Sequence, residues 1–355
     1  MSSVGERLRV DDFNYPLPAS AIAQRPAEPR DASRLLIIDR AGSQVGHPAL
    51  DHDLFAGIGR RLARGDLLVV NDSRVLRARL RGRQRGGGAA EILLLRPMPD
   101  GRWEALVRPS RRLRSGASLQ IGDDVATIQE PVGEGTRAVS FSRDAADVMS
   151  AHGEMPLPPY IHAGGSTDDR YQTVYADPPG SSAAPTAGLH FTPRLLDELA
   201  AQGVGRAALT LHVGLDTFKP LDGTYVDEHA IHREWYELPP ATREHIESTR
   251  VSGGRVVAVG TTTTRVLETF ARTSESLGWT DLYLTPPHRF ELVDALITNF
   301  HLPQSSLLLL VTAFVQDGMG ETSALGARDT LLAAYRTALA DGYRFFSFGD
   351  AMLIV

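Results

Sequence analysis

Between residues 75 and 142 the chain strings together six short strand-like segments with no helical periodicity among them, and this stretch limits the possible folds more than any other feature. The segments fall at 75–83, 90–96, 103–108, 117–121, 125–129 and 138–142, separated by turn signals such as Gly86-Gly-Gly and Pro99-Asp-Gly. Short strands at that spacing predict a small barrel or sandwich. Arg77, Arg79, Arg81, Arg83 and Arg85 recur with a period of two, which places all five on one strand face. On either side the pattern changes. Apolar runs at 35–39, 66–71, 207–213, 256–260 and 294–298 read as strands, and 345–355 as one or two more. Amphipathic or apolar periodicity at 53–63, 193–202, 241–250, 261–270, 306–315 and 327–340 reads as helix. Strands alternating with helices describe a layered α/β domain. The expected architecture is a mixed α/β main domain, residues 1–71 and 151–355, interrupted by an inserted six-stranded antiparallel β-barrel at 72–150. The proline- and glycine-rich stretch 155–188 is too long for a bare linker and reads as a lid or cleft wall.

The chain has no cysteine, which excludes disulfides, thiolate nucleophiles, zinc ribbons and iron–sulfur clusters. Its longest apolar run, Leu307 to Val311, falls far short of the roughly 20 residues that span a bilayer. The first seven residues lack the apolar centre of a signal peptide. The expectation is a cytoplasmic protein with no membrane partner. The net charge of −6 argues against nucleic acid only on average. From Arg74 to Arg114 twelve arginines face Glu91, Asp100 and Glu104, a local charge of +9 that leaves −15 for the remainder. Such a segment is either the footprint of a polyanion or the solvated face of a barrel. Lys219 is the only lysine, so arginine serves nearly every cationic need.

The sharpest local motif is Val256-Val-Ala-Val-Gly260-Thr-Thr-Thr-Thr-Arg265, an apolar strand ending at glycine with threonines opening a helix. The free N–H groups and positive dipole end of such a helix make an anion pocket, unless it is simply a capped helix. Gly260, Thr261, Thr262, Thr263 and Arg265 are therefore candidate substrate-binding residues. Histidines stand at the ends of apolar runs or beside glycine: His190, His212 and His301, with His229 and His232 close together. Each alone is more readily a structural residue than a functional one, and only several converging on one cleft would point to function. Without cysteine or a Glu-x-x-His helix, a metal at His229 and His232 is disfavoured, and no metal is expected. Gly-x-Gly-x-x-Gly after a strand, the P-loop and the nucleophile elbow are all absent, which disfavours common dinucleotide, P-loop and hydrolase folds.

Taken together, the segments 28–36, 65–75, 103–110, 153–161, 170–176, 184–192, 293–303 and 343–354 resemble, in order, the S-adenosylmethionine:tRNA ribosyltransferase-isomerase family of queuosine biosynthesis. The resemblance spans almost the whole chain. It implies an α/β domain with an inserted six-stranded barrel, and a transferase that uses S-adenosylmethionine as ribosyl donor. The acceptor would be the aminomethyl group of a 7-deazaguanine at the tRNA wobble position. The product would be epoxyqueuosine-tRNA, with adenine and methionine released. S-adenosylmethionine is then a co-substrate, no bound cofactor is expected, the partner is tRNA carrying the 7-deazaguanine precursor, and the chain is expected to be a monomer. Within that chemistry His190, His212 and His301 are candidates for proton transfer, with Asp294 and Asn299 positioning the substrate. Tyr160, Tyr171 and Tyr175 would stack on the anticodon base, and Arg77, Arg79, Arg81, Arg83, Arg85, Arg108 and Arg111 would meet phosphates.

The chain departs from the family pattern at Asp216, at Ile231 before His232, and at Thr285-Pro-Pro-His-Arg289. If those loops line the acceptor site, the acceptor differs. The competing functions are an S-adenosylmethionine-dependent RNA methyltransferase and a non-catalytic tRNA-binding protein. The missing glycine-rich loop weighs against the first, and the threonine and histidine motifs weigh against the second.

Overall fold

The apolar runs at 67–71, 256–259 and 295–299 lack polar alternation because all three strands are buried on both faces. They form the centre of a layered body. The computed structural model describes residues 7–133, 135–162, 170–214 and 221–355. In chain order the strands before the barrel are β1 (Arg34–Gln44), β2 (His47–Leu54), β3 (Leu67–Asn71) and the short β4 (Arg74–Val75). The barrel strands are β5 (Arg79–Gln84), β6 (Ala89–Pro97), β7 (Trp103–Arg108), β8 (Ser118–Ile121), β9 (Asp124–Gly133) and β10 (Thr136–Phe141). After it come β11 (Pro179–Ser181), β12 (Gly205–Leu211), β13 (Glu234–Glu237), β14 (Val256–Val259), β15 (Leu277–Thr280), β16 (Ala295–Asn299) and β17 (Ala351–Ile354). The α-helices are α1 (Ala145–His152), α2 (Pro193–Ala201), α3 (Pro240–Val251), α4 (Thr261–Thr273), α5 (Ser306–Gly318) and α6 (Ala324–Ala340).

A nine-stranded sheet runs in the order β15-β13-β12-β3-β14-β16-β17-β1-β2. Its middle, β12-β3-β14-β16, is parallel throughout. Successive residues of each central strand point to opposite layers. Leu67, Val69, Val256, Ala258 and Leu296 join the α4–α5–α6 layer, whereas Leu68, Val70, Val257, Val259 and Ile297 join Phe55, Leu195 and Leu199 on the other side. The sheet therefore has two apolar faces, both covered.

Between β4 and β11 the chain closes an antiparallel barrel in the order β10-β7-β6-β5-β8-β9, filled by Leu80, Ile92, Leu94, Val107, Leu119, Ile121 and Ile128. A small fourth cluster, including Val75, Met155, Ile161, Tyr171 and Phe348, packs the segment after α1 against the body. That segment is tied to the barrel where Arg79 and Glu154 exchange backbone hydrogen bonds.

Three readings of local structure require correction. The helix expected at 53–63 is the end of β2 followed by a 3-10 turn, Phe55–Arg60, because Gly57 and Gly59 weaken a longer helix. The strand expected at 75–83 is two pieces, so Arg77 precedes β5 and Arg85 sits in the following turn; only Arg79, Arg81 and Arg83 share the strand face. The strands β2, β13 and β15 were not visible in the sequence pattern, being edge strands or short ones with polar or exposed residues. Among the described residues no helix is long and apolar enough to cross a membrane.

Candidate active site

The carboxyl ends of the parallel strands converge at one edge of the sheet, the position where open α/β sheets bind ligands. Asn71, the last residue of β3, ties this edge together: its Nδ2 donates to the Leu211 carbonyl and to Thr262 Oγ1. β14 is followed by Gly260, whose φ of +94° turns the chain into α4. Only glycine adopts that region without strain. β16 ends at Asn299 and continues through Phe300 to His301. Between them lies a small hollow of about 70 Å3 that opens to solvent. Its walls include Gly260, Thr261, Thr262, Asn299 and His301, with Thr186, Tyr160, Phe346, Ser347 and Ser305 completing them. Among the described residues no Asp, Glu, Lys or Arg lines it.

The N-termini of two helices border this hollow. α4 opens with no side-chain cap, and its first intrahelical bond is Thr264 N–H to the Gly260 carbonyl, so the first three N–H groups have no partner within the helix. α5 is capped by Ser305, whose hydroxyl accepts from Leu308 N–H. Both positive dipole ends favour an anionic group.

The polar wall has a fixed polarity. The Phe346 carbonyl can only accept, so Asn299 presents Nδ2 to it at 3.3 Å. The same Nδ2 reaches His190 Nε2 at 3.1 Å, which makes Nε2 the unprotonated nitrogen. His190 Nδ1–H then donates to Ser33 Oγ at 2.8 Å. On the other side Thr186 Oγ1 donates to Asn299 Oδ1 at 2.9 Å, leaving its lone pairs to the hollow. Phe346 holds φ +71°, a strained conformation for a bulky residue, and it does so on the pocket wall. Tyr160 meets Phe346 with ring centroids 4.9 Å apart and bonds Ser347 Oγ at 2.6 Å. Burial pushes the Tyr160 phenol up to about 12, so it stays protonated.

Of the candidate histidines, only His301 lines the hollow. Its Nε2 pairs with Thr298 Oγ1 at 2.9 Å, and burial lowers its pKa to about 3. His190 lies behind Asn299 with both ring nitrogens engaged, and burial lowers it to about 4. It acts on the site only through Asn299. His212 does not line the hollow either. Its Nδ1 pairs with Ser73 Oγ at 2.8 Å and its ring stacks on Trp235 at 5.0 Å.

The two buried rings set an acid limit on stability. Each is neutral in the folded chain well below pH 6.5, whereas the unfolded chain takes up the proton near 6.5. Stability is thus complete above the unfolded value and is lost as pH falls towards 4 and 3. Urea unfolding between pH 7 and 4.5 is expected to show a loss on the order of 1 kcal/mol per unit for each ring once below 6.5. A flat profile over that window would contradict the neutral assignment.

Several other candidates are placed elsewhere. Asp294 stands at the opposite edge of the sheet, where its Oδ2 accepts from Val256 N–H at the start of β14. Arg265 turns away from the hollow. It is buried, paired with Glu234, and donates to the Leu282 and Thr280 carbonyls, so it is not free to hold an anion. Thr263 is fully buried with its hydroxyl on the Val259 carbonyl. Tyr171 is fully buried edge-on to Phe348 and offers no face to a base, and the half-buried Tyr175 has its hydroxyl enclosed against Gly188. Arg79 and Arg81 lie beside Glu91, and Arg81 also beside Glu154 at 3.1 Å. Arg77, Arg83, Arg85, Arg108 and Arg111 are exposed and make no ion pair among the described residues. Asp216 lies outside the described residues, and neither Ile231 nor 285–289 lines the hollow. Thr186, Ser305, Phe346 and Ser347 escaped the sequence reading because nothing local marks which loop folds over the strand ends.

The family model described as "Queuosine biosynthesis protein" matches residues 10–354. A Symbiobacterium thermophilum protein named S-adenosylmethionine:tRNA ribosyltransferase-isomerase is 47% identical, covering 98% of this chain and 100% of its own. A Thermotoga maritima protein of the same name is 46% identical with the same coverage. A solved structure described as S-adenosylmethionine tRNA ribosyltransferase from Thermotoga maritima matches at 39% identity and a TM-score of 0.55. It covers 97% of this chain and 100% of that one.

Proposed function

The chain belongs to the queuosine biosynthesis protein family, and from that premise we propose that it is an S-adenosylmethionine:tRNA ribosyltransferase-isomerase. It transfers and isomerises the ribosyl moiety of S-adenosylmethionine onto the 7-aminomethyl-7-deazaguanine at the tRNA wobble position. The products are epoxyqueuosine-tRNA, adenine and methionine. The single observation that carries the reading within this molecule is the hollow at the carboxyl edge of the parallel strands. Among the described residues it joins an uncapped helix N-terminus, a polar wall and one histidine, with no charged side chain.

Each part has a use in that reaction. The N–H groups of α4 at Thr261 and Thr262 receive the methionyl carboxylate, with Gly260 allowing close approach. Among the described residues the hollow offers a sulfonium no carboxylate, and the faces of Tyr160 and Phe346 supply an electrostatic partner. The sulfonium acidifies the ribose 5′-carbon, and His301, unprotonated in the folded protein, takes that proton; burial makes it a weak base, so the step relies on the acidity the sulfonium supplies. Thr186 and Asn299, oriented by His190, hold ribose or purine groups by directional hydrogen bonds. The exposed arginines 77, 83, 85, 108 and 111 meet tRNA phosphates.

Incubating the enzyme with S-adenosylmethionine and precursor-bearing tRNA is expected to release adenine and methionine and to change the mass of the wobble nucleoside accordingly. S-adenosylhomocysteine as the product would make it a methyltransferase. No consumption of S-adenosylmethionine, with tRNA still bound, would make it a binding protein.

A further inference from the structure

We propose that Trp279 and Trp235 form a stacking platform for an unpaired RNA base at the edge of the large sheet, beside the hollow. The inference rests on the tRNA reading above and adds a contact surface to it. Tyr171 is fully buried and Tyr175 is half-buried with its hydroxyl enclosed, so a more exposed aromatic face suits a splayed base better. Trp279 is 45% exposed and is the one exposed aromatic residue among those described. It lies on the edge strand β15, directly opposite the half-buried Trp235 of β13, so both side chains rise from the same sheet face.

The platform is built rather than incidental. Trp235 stacks on the His212 ring at 5.0 Å and 21°, and His212 is held by Ser73 Oγ. Gly180 packs on that ring so closely that an added Cβ would lie 2.4 Å from Nε2. His212 is therefore a buttress for Trp235, and its neighbour Val213 is already a wall of the hollow. At the outer end the basic barrel arrives: the Arg96 guanidinium lies 5.9 Å from the Trp279 ring centroid. Arg96 is held there by Glu104, itself bonded to Thr136, yet its side chain stays 59% exposed. An aromatic face next to a preorganised arginine, on the side of the molecule that carries the local charge of +9, is complementary to a nucleotide and its phosphate.

The test compares wild type, Trp279→Ala, Trp279→Phe and the neighbouring surface control Leu277→Ala. An anticodon stem-loop RNA, a fully paired RNA of equal length and S-adenosylmethionine serve as probes. Trp279→Ala is expected to weaken stem-loop binding about tenfold or more. It should raise KM for tRNA without lowering kcat and leave duplex and S-adenosylmethionine affinities unchanged. Trp279→Phe should restore most of the loss, and Leu277→Ala should behave as wild type. Equal stem-loop affinity for Trp279→Ala and wild type overturns the platform. So does a Trp279→Ala effect confined to self-association, which would make this edge a contact between two copies. A wild-type protein that binds no stem-loop at all would instead remove the tRNA reading on which the platform rests.

Discussion

His301→Ala is expected to lower the rate of adenine release by about two to four orders of magnitude, the usual contribution of a positioned acid–base group. Among the described residues His301 is the only histidine that lines the hollow. Its Nε2 is paired with Thr298, and its other ring nitrogen has no partner among the described residues. The affinity for S-adenosylmethionine should change little, because the α4 N-terminus and the Asn299–Thr186 wall do not depend on the imidazole. The fold should also survive. Position 301 is fixed through its backbone, which accepts from the Tyr15 hydroxyl and donates to the Tyr335 hydroxyl, and alanine keeps both bonds. His190→Ala should be milder in turnover and worse in stability, since it acts only by releasing Asn299. Single-turnover assays with both variants decide the matter. Near-normal adenine release by His301→Ala removes His301 from the chemistry.

The second large effect concerns stability. Glu234→Ala should cost about 3–5 kcal/mol, because it leaves the Arg265 charge buried without its partner. Glu234 also accepts from Gly214 N–H at 2.8 Å, and that bond goes as well. Against a total stability of about 5–15 kcal/mol, the expected drop in Tm is on the order of 10 °C. The double variant Glu234→Gln/Arg265→Met should recover most of the loss, since removing both charges leaves none stranded. Arg265→Met at a temperature where it stays folded should bind S-adenosylmethionine as wild type does. A loss of affinity of tenfold or more there would return Arg265 to the anion site.

These outcomes show where sequence reading stops. The strand at 256–259 was legible because four consecutive apolar residues needed cover on both faces. The uncapped start of α4 was legible because glycine followed by threonines is a local signal, carried by backbone geometry within a few residues. The barrel was legible from strand count and turns, and its outward arginines from the period of two. Edge strands were missed for the complementary reason. In β2, His47–Leu54, most of the strand meets solvent, so its sequence carries little apolar alternation, and Pro48 is tolerated there.

Asp294 and Asn299 mark the boundary most clearly. Both are polar residues flanking the same apolar run, and in the sequence they look equivalent. In the folded chain roughly 16 Å of extended strand separates them, which puts one at each edge of the sheet. Likewise Arg265 looked available until β13 brought Glu234 against it from 31 residues earlier in the chain. By itself the amino-acid sequence determined the layers, the barrel and the strand-to-helix turn at Gly260, because each follows from local periodicity and backbone preference. Which polar groups meet at one edge, which histidine is exposed to the hollow and which arginines stay unpaired were decided only by tertiary packing. Those facts depend on contacts between segments far apart in the chain, which no local pattern encodes.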